Sequence, residues 1–131
     1  MKILNDLQKI IYNKLSNIEE INVFSCPEKN TNFPYLIINI DNIEIEDNFY
    51  NTSYSLILKL LIFDKNESNI NIINISEKVK NNIIELNNNF LNNITKIINI
   101  NFINSELKLF NEINSIWNMS INLNLIIQQQ K

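Results

Sequence analysis

Residues 30–63 read NTNFPYLIINIDNIEIEDNFYNTSYSLILKLLIF, and the position of Pro34 within this run decides how the chain folds. Proline has no N–H to give a β ladder, so it is tolerated at the first residue of a strand or on an edge. Set between Phe33 and Tyr35, ahead of a long apolar run, it predicts a strand entrance. The strand runs from about Tyr35 to Ile40 and can continue through Ile45. After the polar stretch Glu46 to Asn51, a second strand places Thr52, Tyr54, Leu56, Leu58, Leu60 and Ile62 on one face. Its other face begins with Ser53 and Ser55 and ends with Leu61 and Phe63, which predicts cover on both sides at the far end. The two strands predict an antiparallel hairpin with a long connection, Asp41 to Thr52.

Outward from this hairpin the period changes. Before it, Ile3, Leu4, Leu7, Ile10, Ile11, Leu15 and Ile18 recur every three or four residues, which predicts an amphipathic helix over about 2–17. A short strand, INVFS, leads into Cys26, Pro27 and a polar loop. After the hairpin, Ser68 or Asn69 can cap a second helix, carried by Ile72, Ile75, Val79, Ile83, Leu86 and Phe90 at helical spacing to about residue 88. The run Asn87-Asn88-Asn89 ends it, with asparagine taking the left-handed conformation that glycine usually supplies. A third β section follows, in which Ile98, Ile100 and Phe102 alternate with Asn99 and Asn101, then Leu107 and Leu109 precede the turn NEIN, so that two or three strands are expected after the second helix. Last comes a clean alternation in which Trp117, Met119, Ile121, Leu123, Leu125 and Ile127 share one face and Asn118, Ser120, Asn122 and Asn124 the other. Trp117 is expected in the core. The fold class expected is α+β: an antiparallel sheet of about five strands with two helices packed on one face, in a single domain over 1–131.

Composition narrows the functions. The chain has 131 residues, a net charge of −3, no histidine and no glycine. All of its basic residues are lysine, with no basic run to neutralise phosphates, which argues against nucleic-acid binding. Lack of histidine removes the commonest general base and metal ligand. Lack of glycine removes the phosphate-cradling loops that need close backbone approach. The lone Cys26 has no partner for a disulfide and reads as a small packed residue. The acids Asp41, Glu44, Glu46 and Asp47 are the one place a carboxylate site could sit, but their spacing fits no cation-binding loop, and a solvated hairpin tip is the reading. No catalytic, cofactor or metal residue is expected, and no cofactor. The N-terminal apolar run is interrupted by Asn5, Asp6, Gln8 and Lys9, so neither a signal peptide nor a membrane span is expected. The excess of Asn and Ile, with Gly, Ala and Arg absent, fits an AT-rich genome.

The order of these features resembles the siphophage tail-terminator or tail-completion family, also found in gene transfer agents and prophage-derived particles. The residues that carry the resemblance are the helix ILNDLQKIIYNKL, Val23-Phe24 with Pro27 after it, the motif Phe33-Pro34-Tyr35 opening YLII, the strand SLILKLLIF, the helix NINIINISEKVKNNIIEL and the closing strand WNMSINLNLII. The resemblance implies a structural virion protein, not an enzyme. It would be assembled in the host bacterial cytoplasm into a ring, typically a hexamer, that terminates the tail tube and joins it to the head or neck. The partners implied are other copies of the chain, the tail tube protein and the head-tail connector or neck proteins, with DNA only in transit and no membrane. In the connection Asp41 to Thr52, Ile43, Ile45, Phe49 and Tyr50 give more apolar surface than a solvated tip needs; they are expected at a subunit or tube interface, the alternative being that the connection folds back on its own sheet. Asn118, Ser120, Asn122 and Asn124 would line the lumen or face solvent. Other readings of the same features are another neck or tail component, or a small cytoplasmic binding module such as an immunity or adaptor protein.

Overall fold

A computed structural model describes residues 2–24 and 32–131. Cys26, Pro27 and the start of the polar loop lie outside them. The apolar stripe at three- and four-residue spacing becomes α1 (Lys2–Leu15), which buries Ile3, Leu7, Ile11 and Leu15. The helix stops two residues short of the expected end, where the Ile18 N–H bonds to the Leu15 carbonyl at 3.0 Å in a turn. A three-residue strand, β1 (Asn22–Phe24), follows.

Pro34 stands directly before β2 (Tyr35–Asp47), with a cis Phe33-Pro34 peptide bond. Its carbonyl accepts the Asn22 N–H at 3.1 Å, which ties the strand entrance to β1. The partner of β2 is β3 (Asn51–Lys65), joined through Asn48 to Tyr50 alone. The long connection expected between Asp41 and Thr52 is therefore mostly strand. What the sequence pattern hid is an irregularity between Asp41 and Glu44, where Asn42 and Ile43 stand against the single residue Leu56. Asn42 has φ 50°, and the extra residue shifts the alternation so that a continuous strand reads as a broken one.

Next come α2 (Ile70–Ile84), β4 (Thr95–Asn111) and β5 (Ile116–Gln130). The Ser68 hydroxyl accepts the Ile70 N–H at 3.1 Å at the start of α2. The helix ends four residues before the expected boundary; Leu86 in the following turns remains buried, whereas Phe90, expected on the same stripe, lies beyond the helix and is exposed. The β section expected between 98 and 109, read as one strand or two, is one strand, β4, with register shifts at 97/99, 102/104 and 109/111. Each shift resets the two-residue period, which is why the sequence looked divided.

The five strands form one sheet in the order β1-β2-β3-β5-β4. All pairs are antiparallel except β1 with β2, so the expected antiparallel sheet is mixed at one edge. Both helices pack on the face made by Leu36 and Ile38, by Leu56, Leu58, Leu60 and Ile62, and by Ile121, Leu123, Leu125 and Ile127. Trp117 lies at the margin of this core, half-buried, with its indole N–H donating to the Asn66 carbonyl at 3.1 Å. Amphipathic sandwiching thus leaves the opposite sheet face and both ends of the long strands for other contacts.

Candidate interaction surface

The best-defined surface feature is the end of the β2–β3 hairpin. Asn48 builds the turn: its side-chain oxygen accepts the N–H groups of Tyr50 and Asn51, each at 2.9 Å, and its amide donates to the Asn51 side chain at 3.0 Å. Such Asx geometry fixes a short turn without glycine. It projects Phe49 and Tyr50 into solvent, 85% and 78% exposed, with their rings edge to face at 5.2 Å. Ile43 and Ile45, on the approach to the turn, are exposed as well. The four residues expected at an interface therefore occupy one hairpin, at the bulge, along the strand and at the tip.

The tip is fastened to the end of β5. The Lys131 N–H donates to the Tyr50 carbonyl at 3.1 Å, and its ammonium pairs with Asp47 at 2.6 Å. The Thr52 hydroxyl donates to the same carboxylate at 2.7 Å. The Lys131 hydrogen bond, followed by that of Thr52, holds the Asp47 carboxyl below its usual pKa. Three more carboxylates line β2. Asp41, Glu44 and Glu46 are paired with Ile57, Ser55 and Ser53, which puts them on the sheet face away from the helices. None of the three forms an ion pair among the described residues.

The polar side of β5 divides in two. Ser120, Asn122 and Asn124 are half-buried. Asn122 donates to the Asn104 side chain at 2.7 Å, and Asn124 donates to the Ser55 hydroxyl and the Leu56 carbonyl at 3.2 and 3.3 Å. Asn118, expected on the same solvent face, is instead buried, with its amide donating to the Ile62 carbonyl at 3.2 Å. The cause is its neighbour across the ladder, Phe63, which stacks on Tyr35 at 5.1 Å and meets Phe110 edge to face at 5.5 Å. Phe33 extends the line to Tyr35 at 5.3 Å, so Phe33 and Tyr35 of the FPY motif begin an aromatic row on the helix-free face. Burial within this row raises the Tyr35 pKa. Sequence reading missed the row because Phe110 enters it from a distant strand through the third register shift of β4.

A second depression lies beside α1. Asn5, Gln8, Lys9, Tyr12, Asn13 and Ile38 line a groove of about 400 Å³ between the exposed side of the helix and the edge of β2. Among the described residues, β1 pairs with that edge from Tyr35 to Ile37. No group of three or more His, Cys, Asp or Glu residues among those described could hold a metal ion. Among the described residues no helix is long and apolar enough to cross a membrane.

No family model matches the chain, and no curated protein matches it by sequence. Among solved structures it is similar to a chain of the virion of a native gene transfer agent (GTA) particle, with a TM-score of 0.69 and 7% sequence identity. The match covers 90% of this chain and 91% of the other. At that identity the likeness is one of fold.

Proposed function

We propose that this chain is a structural protein of a phage or gene-transfer-agent-like virion, forming a ring that ends the tail tube and joins it to the head or neck. The observation that carries the reading is the fold likeness to a chain of a gene transfer agent virion, which extends over nine-tenths of both chains. A match of that extent is to most of the chain rather than to a common motif. Fold alone does not fix function, and the surface adds its own support. Phe49 and Tyr50 form an exposed aromatic pair held by an ordered turn, the kind of rigid anchor that dominates interfaces. In this reading Ile43, Ile45, Phe49 and Tyr50 meet a neighbouring copy or the tube.

The helix-free face suits a conduit. Ser120, Asn122 and Asn124 are neutral, the two asparagines are already hydrogen-bonded within the sheet, and Asp41, Glu44 and Glu46 lie on the same face. Such a surface repels phosphates rather than binding them, so DNA would slide past it. The ring has six copies in the family that the sequence resembles, and six is the number expected here. Electron microscopy of particles from a strain lacking the gene, beside the parent, tests the role. Overlong tails, or tails unjoined to heads, are the expected result. Normal tails joined to heads would overturn the reading.

A further inference from the structure

We infer that the acidic, aromatic-tipped hairpin of one copy docks into the groove between α1 and the β2 edge of a second copy. The inference rests on the ring reading for its biological setting, but its physical argument is independent. The two surfaces are complementary in charge. The distal half of β2 carries Asp41, Glu44, Glu46 and Asp47, of which only Asp47 has a cationic partner among the described residues. Helix α1 carries Lys2, Lys9 and Lys14 against the single acid Asp6; Lys14 is paired with Glu85, and Lys9 lines the groove.

The surfaces are also complementary in shape and polarity. At about 400 Å³ the groove lies within the range that accepts compact organic groups, enough for the paired rings of Phe49 and Tyr50. The Tyr12 ring and Ile38 offer apolar walls, while the amides of Asn5, Gln8 and Asn13 offer hydrogen bonds to carboxylates or to the Tyr50 hydroxyl. Burying two rings that are now almost wholly exposed supplies the driving force.

The contact must be made between copies. Ile38 and the tip lie on the same hairpin, separated by nine residues of strand or roughly 30 Å, and the paired strands cannot fold back on themselves. Tip and groove are different patches, so the contact is heterologous and each copy retains a tip and a groove for further neighbours. Closure of that chain of contacts yields a ring.

Cysteine cross-linking tests the docking directly. In a Cys26→Ser background, Tyr50→Cys combined with Gln8→Cys places one thiol on the tip and one in the groove. A disulfide requires Cα atoms within about 7 Å, so the distance within one copy forbids an internal bond. Oxidation is expected to give a ladder of covalent oligomers on a non-reducing gel. The single variants should stop at dimers, and Tyr50→Cys with Ser120→Cys, which puts the second thiol on the helix-free face, should give no ladder. Sedimentation velocity supplies the second readout. Lys9→Glu should weaken self-association by about tenfold, and adding Glu46→Lys should recover most of the loss. A wild-type protein that stays monomeric at the highest attainable concentration, or a ladder equally strong from the Ser120 pair, overturns the docking.

Failure of the docking and failure of the ring reading are separable. Overlong or unjoined tails from the deletion strain, without a tip-to-groove ladder, would retain the virion role and discard this contact. A ladder with normal particles would do the reverse.

Discussion

Asparagine does unusual work in a chain without glycine. Asn42, Asn88 and Ser115 take positive φ, and each sits where the chain must bend: the β2 bulge, the turn after α2 and the β4–β5 turn. Asn48 shapes the hairpin tip through three hydrogen bonds of its side chain. Among these, the left-handed role of the Asn87–Asn89 run was legible in advance, because it follows a clear helical period. Asn42 was hidden within an extended run that gives no sign of a bulge. The tip also carries a local electrostatic feature, in which Lys131 first and Thr52 second favour the charged form of Asp47. The folded-state pKa is depressed, so whatever this pair contributes to stability is present above the unfolded pKa and is lost as pH falls through the folded one. Nuclear magnetic resonance titration should show Asp47 titrating below the ordinary aspartate range. Lys131→Ala should raise its midpoint, and an unchanged midpoint would count against the pairing.

At the scale of elements, each helix and strand is present where its period placed it, and the discrepancies are at junctions. Helix α2 passes into turns that keep Leu86 buried, so the apolar period outlasts the helix by one residue of its stripe. The turn depends on Asn88, at φ 68°, whose backbone N–H donates to the Ile97 carbonyl at 2.8 Å and so fastens the helix exit to β4. Asn88→Ala should destabilise the protein by about 1–2 kcal/mol in urea unfolding, whereas Asn88→Gly should be close to neutral. Equal losses from both would show that the side chain, rather than the backbone conformation, matters there. The β2–β3 hairpin and β4 defeated the two-residue reading for one shared reason. An inserted residue inverts the faces beyond it, so a long bulged strand imitates two short ones.

For the whole molecule, the division is between one covered sheet face and one open face. Leu60, fully buried between the helices and the sheet, should cost about 2–5 kcal/mol when changed to alanine, measured by chemical denaturation. A loss below about 1 kcal/mol would mean that the core closes around the gap more readily than close packing allows. The sequence by itself determined the fold class, the two amphipathic helices, the strand entrance at Pro34 and the apolar faces of β3 and β5, because each follows from local period or backbone chemistry. It also singled out Ile43, Ile45, Phe49 and Tyr50 as surplus apolar surface for a polar connection. Only the tertiary structure decided that β1 lies parallel to β2, that Asn118 is buried opposite Phe63, and that a groove opens between α1 and the β2 edge. These depend on contacts between residues far apart in the chain, and local periodicity specifies which face a residue is on without specifying what distant element comes to cover it.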